Sequence, residues 1–417
     1  MKKIYNLYKT LDIKVLIKLI ASAILAGVVP LLFEPHFKSI YTPEEYGLYD
    51  YFLKTFAIIV PFLTLKTDIF ILNSTANTSY QKWFNSLCII IFNSLIIFLF
   101  FFTINLFFEF LKIKILFLSI IGAFEFSVIL ISVNTLLKLG KSTLVSFQKP
   151  IRRISELIIL LIISYFVTSS YSLITSSLVG LFFAMVFAVK SVLNMRSDYQ
   201  LKFGINELIN YAKQTKDILL SEILNTFSLS FLSIFIFYNY SVTEVGLMEL
   251  SNKIISIPQI LFCGFIAIII QNKLSNIINE NKSIITLVKN YAFILIFISI
   301  MFCFTIYFGA KYAIPLFFTK DWWTSISFVN ILIIQLSIFI VLSPLSRVLY
   351  SLKAYKSYRN WQIVKSLLII ATMLCYKLNI YSFLLVYSIT AFFAYLLLLM
   401  FIVKEVKNYE SSKSYKN

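Results

Sequence analysis

Two acid–lysine pairs with the same spacing are the residues in this sequence best suited to chemistry. Asp50 precedes Lys54 by four residues, and Glu249 precedes Lys253 by four residues. Residues four apart lie on one face of a helix, so each pair can form an ion pair or present both charges to a ligand. Both pairs lie in apolar sequence, where a buried charge costs at least ~2.5 kcal/mol on membrane insertion. These charges are therefore expected to face protein or water rather than lipid.

The two pairs belong to an internal repeat. The sequence YTPEEYGL at 41–48 returns 199 residues later as YSVTEVGL at 240–247, and the register continues into both pairs. In each copy a Thr or Ser is followed three residues later by Glu, which predicts a capping box at a helix start. The lysines come twelve residues after these caps, or ~18 Å along a helix, which is about halfway across a bilayer. Repetition with charge at this depth is typical of a two-lobed transporter.

Two hypotheses account for the matched pairs, and the sequence leaves both open. In the first, the pairs are internal salt bridges that brace each lobe. In the second, Lys54 and Lys253 converge on one central cavity as an anion site, while Asp50 and Glu249 tune or release the bound anion. The presence of a pair in each half favours a functional role.

Glu125 is a third candidate site residue. It lies near the middle of an apolar block, with no basic residue within helical reach. Its partner must come from another helix, or the carboxylate takes a proton. A buried structural pair with Lys54 and a role in ion coupling are both open.

Other chemistries have little support in the sequence. The segment GKST at 140–143 resembles the end of a phosphate-binding loop, but residue 135 is Thr instead of Gly and an apolar helix precedes it, so ATP binding is not expected. His36 is the only histidine, and the four cysteines are dispersed in apolar sequence. No metal, disulfide or cofactor is therefore expected.

The composition predicts a polytopic membrane protein. The 417 residues are 59% hydrophobic and 13% charged, which is too apolar for one soluble core. The net charge of +18 comes from basic residues that lie mainly in short loops between apolar blocks. There they set orientation in the bilayer and attract anionic headgroups, so membrane lipids rather than nucleic acid are the expected partner.

The apolar blocks predict twelve membrane-spanning helices in two sets of six. The spans lie at 13–33, 46–71, 83–108, 115–137, 154–169, 172–193, 217–238, 243–271, 287–310, 323–346, 360–376 and 381–403. The predicted fold class is an all-α integral membrane protein with two six-helix lobes.

The lobes are expected at 1–193 and 217–403, with a cytoplasmic linker at 194–216 and a cytoplasmic tail at 404–417. Basic residues concentrate in alternate loops, which predicts that both termini are cytoplasmic. Because six helices return the chain to its starting side, the lobes should be parallel repeats related by a pseudo-two-fold axis along the membrane normal.

Residues 41–48 resemble the outer start of the second helix of polysaccharide-biosynthesis membrane proteins, the Wzx-type O-antigen flippases of lipopolysaccharide synthesis. Residues 244–255, followed by Pro258, resemble the motif before the eighth helix of that family. The similarity extends to the basic segment at 141–153 and to the twelve-span plan. It indicates the multidrug, oligosaccharidyl-lipid and polysaccharide exporter superfamily, and within it the polysaccharide branch.

This resemblance implies a transporter rather than an enzyme. It implies two lobes around a cavity lined mainly by helices 1, 2, 7 and 8, working by alternating access in the bacterial inner membrane. The substrate would be an oligosaccharide repeat unit on undecaprenyl pyrophosphate, moved from the inner to the outer leaflet. Lys54 and Lys253 would contact the pyrophosphate or acidic sugars, and a proton or sodium gradient is the coupling partner that the superfamily suggests.

Three alternatives remain open at the level of sequence. A multidrug exporter of the same superfamily would be expected to favour cationic drugs and an acidic cavity, which the lysines oppose. A lipid II flippase resembles a fourteen-span plan. A membrane glycosyltransferase or polymerase usually needs a sizeable outer domain, and no outer loop here reaches thirty residues.

Overall fold

The computed structural model describes residues 13–72, 74–107, 113–195, 205–280 and 282–414. Within these residues the regular secondary structure is helical, with no strand, which confirms the all-α class. Seven helices are long and apolar enough to cross a membrane in the described part of the chain, which indicates a multi-pass membrane protein. They are Thr78–Asn105, Ile113–Lys138, Ser170–Leu193, Ile218–Asn239, Ile285–Phe317, Lys320–Ser351 and Ile380–Ser412.

The chain divides into two compact units, Met1–Leu219 and Leu220–Asn417. The helices of the first unit are α1 Ile13–Ile40, α2 Pro43–Thr64, α3 Thr67–Leu72, α4 Ala76–Phe107, α5 Ile113–Lys138, α6 Ser142–Phe166 and α7 Ser170–Leu193. Helix α8, Ile205–Asn239, carries the chain across the boundary. It begins inside the predicted linker at 194–216, of which residues 196–204 lie outside the described residues.

Helix α5 is the centre of the first unit, because it contacts α2, α3, α4, α6 and α7. Two of its polar side chains bond to these neighbours. Ser119 donates to the carbonyl of Phe52 on α2 at 3.2 Å, and Ser132 accepts from Trp83 Nε1 on α4 at 3.0 Å. Bonds of this kind satisfy hydroxyl groups that would be costly in hydrocarbon.

The second unit repeats this plan with other side chains. Its further helices are α9 Val242–Asn279, α10 Ile285–Phe317, α11 Ser325–Leu345, α12 Arg347–Ser351, α13 Tyr355–Thr372 and α14 Ile380–Ser414, with 3₁₀ turns at Lys320–Trp322 and Met373–Cys375. Helix α11 contacts α9, α10 and α14 and is the centre of this unit. Twelve helices of 18 residues or more occur in the described ranges; that all twelve cross the membrane stays a prediction.

The predicted span at 46–71 is broken in the structure. Helix α2 ends at Thr64, and Leu65 and Lys66 both have left-handed backbone, with φ of 43° and 60°. Asn93 on α4 donates to the carbonyls of Phe62 and Leu63, both at 3.2 Å, and so satisfies groups left open at the helix end. Apolar composition continued through this break, so hydropathy alone did not reveal it.

The turn between α5 and α6 corrects another predicted boundary. Gly140, with φ of 71°, donates to the carbonyl of Leu137 at 3.1 Å, and Lys141 donates to that of Leu136 at 2.8 Å. This is a Schellman motif, in which glycine supplies the left-handed residue after a helix. Helix α6 therefore starts at Ser142, twelve residues before the predicted span at 154–169.

The predicted tail at 404–417 is helical as far as Ser414, because α14 continues to that residue. Glu410 accepts from the backbone N–H of Ile284 at 2.8 Å and from the hydroxyl of Ser283 at 2.9 Å. Its carboxylate thus bonds at the N-terminus of α10, where negative charge is favourable. The end of α14 is packed as part of the second unit.

Candidate functional site

The matched pairs form the same ion pair in both units. Lys54 Nζ lies 3.7 Å from Asp50 Oδ1, and Lys253 Nζ lies 2.6 Å from Glu249 Oε1. The lysine side chains are 28% and 29% exposed, whereas both carboxylate side chains are 4% exposed. Each pair therefore holds its negative charge inside the unit and leaves its positive charge accessible at the unit's surface.

Local capping sets where each pair stands on its helix. Thr42 forms the predicted capping box, in which Glu45 N–H donates to its hydroxyl at 3.3 Å and its own N–H donates to Glu45 at 2.8 Å. In the second unit, Glu244 N–H donates to the hydroxyl of Ser241 at 3.1 Å, and that hydroxyl donates to the Glu244 carboxylate at 3.0 Å. Because both helices start at matched positions, both lysines stand at the same distance from their caps.

Serine hydroxyls fix the two pair-bearing helices to the central helix of each unit. In the first unit the bond is that of Ser119 to the Phe52 carbonyl. In the second, Ser325 on α11 donates to the Leu247 carbonyl at 3.1 Å, and Ser251 on α9 donates to the Ser325 carbonyl at 3.1 Å. These bonds hold the backbone next to each pair in place.

Glu125 is buried in the first unit, and its basic neighbour is Arg152 of α6. This differs from the hypothesis of a structural pair with Lys54, whose ammonium lies beside Asp50. Glu125 Oε2 accepts no hydrogen bond from a described residue. A partner from another helix was expected, and α6 supplies it through a residue that the sequence placed in a loop.

A second polar cluster in the first unit was missed from the sequence. Glu156 Oε1 accepts from Tyr49 Oη at 3.0 Å, and Glu156 Oε2 accepts from Arg153 Nη1 at 2.8 Å. The predicted span at 154–169 left Arg152 and Arg153 in a cytoplasmic loop and placed Glu156 near the start of the span. The spacing of Arg153 and Glu156, three residues apart, was the signal that they share a helix face.

Two further contacts shape this cluster. Lys38 on α1 lies 3.7 Å from Glu34 and 3.5 Å from the ring centroid of Tyr46, and it is buried in the first unit. On α7, a Cβ added at Gly180 would lie 2.8 Å from both the Arg152 carbonyl and the Glu156 Cβ. Only glycine permits this approach of α7 to α6.

No group of three or more His, Cys, Asp or Glu side chains that could hold a metal ion occurs in the ranges that the structure describes. The chemistry that the candidate site offers is recognition of charge. Partly exposed lysine and arginine groups, each paired with a less exposed carboxylate, can bind oxyanions. Aromatic rings line the same helix, with Tyr46, Tyr49 and Phe52 forming successive ring contacts inside the unit.

Comparison with solved structures shows the fold. The lipid II flippase MurJ, in an inward closed conformation, matches with a TM-score of 0.71 at 16% identity, covering 97% of this chain and 91% of that chain. A multidrug resistance MATE family transporter of the MOP superfamily, in an outward-facing conformation, matches with a TM-score of 0.66 at 14% identity, covering 95% and 96%. A MOP superfamily transporter from Pyrococcus furiosus, described as having a binding pocket of reverse polarity, matches with a TM-score of 0.65 at 12% identity, covering 95% and 96%.

Comparison at the level of sequence shows the family. No curated protein matches the chain. The profile of the family described as polysaccharide biosynthesis protein matches residues 40–327, which is more than half of the chain and includes both acid–lysine pairs. The resemblance predicted from residues 41–48 and 244–255 is thereby confirmed, and the chain, which has the fold of MOP superfamily transporters, belongs to the polysaccharide biosynthesis protein family.

Proposed function

We propose that the protein is a flippase that moves an undecaprenyl-pyrophosphate-linked oligosaccharide repeat unit, such as that of an O-antigen, across the bacterial cytoplasmic membrane. The movement runs from the inner to the outer leaflet by alternating access, and both termini are cytoplasmic. Family membership supports the substrate class, and the MOP transporter fold supports the transport activity. The protein has several helices able to cross a membrane, as such an activity requires.

The observation that carries the proposal is the matched exposure of Lys54 and Lys253. A pyrophosphate group and sugar hydroxyls need a polar route. Transfer of each such group into hydrocarbon without a hydrogen-bond partner costs on the order of several kcal/mol. The prenyl tail of the carrier can remain in lipid. In the proposal, the partly exposed ammonium group of each unit binds the pyrophosphate or acidic sugars.

Asp50 and Glu249 have a release role in this mechanism. Each carboxylate is buried next to its lysine, so it competes with the substrate for the ammonium group. The lysine therefore returns to its carboxylate when the substrate leaves. This competition keeps substrate binding weak enough for release into the outer leaflet.

We assign ion coupling to Glu125. It is buried beside Arg152, and its Oε2 has no hydrogen-bond donor among the described side chains. A carboxylate in such surroundings can exchange a proton or a sodium ion during the transport cycle. Export driven by an imposed proton gradient and by an imposed sodium gradient can be compared to identify the coupling ion.

The test is deletion of the gene in its host. A flippase of this kind predicts loss of surface polysaccharide and accumulation of its lipid-linked repeat unit in the inner leaflet, both restored by the wild-type gene. Surface polysaccharide at the wild-type level in the deletion strain would contradict the proposal.

Export of drugs is the second candidate function, and the MATE fold match favours it. The deletion strain would then become hypersensitive to cationic dyes while its surface polysaccharide stayed normal. In the same way, the MurJ match makes lipid II a further candidate substrate. Rescue of a strain depleted of its lipid II flippase would reveal that activity. If the protein were a glycosyltransferase or polymerase, its deletion would instead leave incomplete or unpolymerised glycan, and no complete lipid-linked repeat unit would accumulate in the inner leaflet.

A further inference from the structure

The guanidinium group of Arg153 is held by a hydrogen bond on one edge and is exposed on the other. Its Nη1 donates to Glu156 Oε2 at 2.8 Å, and this is its one hydrogen bond to the residues that the structure describes. The side chain is nevertheless 41% exposed. A guanidinium group carries five N–H donors in a planar fork, so most of its donors are available to an external acceptor.

The anchor itself is held by several helices. Glu156 is 13% exposed and is fixed from α2 by the Tyr49 hydroxyl at 3.0 Å. Glu34 on α1 adds an electrostatic attraction to Arg153. Helix α7 packs against the backbone of Arg152 through Gly180, which sets the position of this part of α6. Four helices thus orient a single guanidinium group before any ligand arrives.

The depth of Arg153 determines what it can face. It is the twelfth of the 25 residues of α6, about 17 Å from the helix start at 1.5 Å per residue. Gly180, which packs against the Arg152 backbone, is the eleventh of the 24 residues of α7, a helix long and apolar enough to cross a membrane. An exposed guanidinium group at that level is expected to face a polar space, because hydrocarbon would make its exposure costly. Arg152, beside it, adds positive charge to the same turn.

We propose that the open edge of Arg153 binds an oxyanion of the translocated substrate, in addition to the two matched lysines. The inference rests on the flippase function proposed above and deepens it. The planar fork suits two oxygens of a phosphate or a carboxylate. Two groups of the substrate have that chemistry, the pyrophosphate of the lipid carrier and the carboxylate of an acidic sugar. Glu156 and Tyr49 are positioning residues that hold the guanidinium edge in place.

The test is equilibrium binding to the purified full-length protein in phosphatidylcholine nanodiscs. Farnesyl pyrophosphate probes the carrier group, and glucuronate probes an acidic sugar. Arg153→Gln is expected to weaken binding of one of the two probes by about tenfold, the factor that corresponds to 1.4 kcal/mol. Arg153→Lys should recover only part of the affinity, because an ammonium group is a point charge without the fork.

The matched control is Lys149→Gln, which removes an exposed positive charge from the same helix one turn earlier. It should leave binding within about twofold of wild type, since a change in overall charge alone is screened by salt. Glu156→Gln and Tyr49→Phe should each weaken binding of the same probe as Arg153→Gln. Thermal unfolding of each variant identifies any that has lost its fold.

Three outcomes overturn the proposal: neither probe binds the wild-type protein, Arg153→Gln binds as wild type does, or Lys149→Gln loses affinity equally. The probe that responds identifies the source of the oxyanion. Failure of the flippase function is separable, because binding is measured without export. If Arg153→Gln lost binding and the deletion strain kept normal surface polysaccharide, the site would stand and the proposed substrate would be wrong.

Discussion

The ion pairs of Lys54 and Lys253 have the same asymmetry in burial. The acid is buried and the base is accessible in both units. Replacing a buried ion pair by apolar residues is often neutral or stabilising, so bracing alone does not account for two pairs of charges in apolar helices. Ligand recognition explains their placement better.

Replacing both lysines tests this interpretation. We expect Lys54→Gln with Lys253→Gln to lower the rate of surface glycan export by about tenfold or more, because charge-assisted hydrogen bonds to the substrate are lost. Export is normalised to the amount of protein in the membrane, because each substitution leaves a buried carboxylate without its lysine and is expected to lower the melting temperature. Lys190→Gln, at an exposed position on α7, is the control. Export at the wild-type rate in the double variant would rule out the assigned role.

Glu125→Gln keeps the shape of the side chain and removes its charge. If the carboxylate exchanges the coupling ion, export by this variant should no longer increase when a proton or sodium gradient is imposed on proteoliposomes. Ser127→Ala, a change of a buried side chain on the same helix, should retain the response. A gradient response equal to wild type in Glu125→Gln would remove this residue from the coupling mechanism.

At the scale of helices, the packing of α7 against α6 requires a glycine at position 180. Gly180→Ala would put a methyl group 2.8 Å from the Arg152 carbonyl and the Glu156 Cβ, so we expect a loss of roughly 1–3 kcal/mol from overpacking. Thermal unfolding in detergent measures this. Gly309→Ala is the matched control, because nothing lies within 4 Å of a Cβ there, and alanine should raise stability slightly through helix propensity.

The same helices show what could be predicted from sequence and what could not. Apolar blocks and the capping residue Thr42 predicted helix class and the start of α2, because both signals are local. The break at Leu65 and Lys66 depends on Asn93 from another helix, and the bond of Tyr49 to Glu156 joins residues 107 apart. Such contacts arise from packing, so a single sequence without its neighbours in space does not reveal them.

For the whole molecule, the two units share the acid–lysine pair but not the arginine cluster. Helix α13 precedes the last helix of the second unit as α6 precedes α7 in the first, and it contains no Asp or Glu that could pair with a basic residue as Glu156 pairs with Arg153. Substitutions in the Arg153 cluster should consequently impair export without any equivalent position in the second unit to compensate.

The concentration of basic residues in alternate loops predicts the orientation of the whole protein in the membrane. We expect a fluorescent protein fused after Asn417 to fluoresce and alkaline phosphatase at the same point to be inactive, because both results mark a cytoplasmic terminus. Alkaline phosphatase inserted after Tyr41, at the predicted outer end of α1, should be active. The opposite pattern at either site would overturn the predicted orientation.

The bond of Glu410 to the start of α10 has a practical consequence for expression and tagging. Shortening the gene at Val403 to remove an apparently dispensable end would delete the carboxylate that accepts from Ile284 and Ser283. We expect such a truncation to lower purified yield and to reduce stability by more than the ~1 kcal/mol of a helix cap, because the buried Val406 and the bond of Glu405 to Ser357 are also lost. An affinity tag appended after Asn417 preserves this contact and is the better choice for purification.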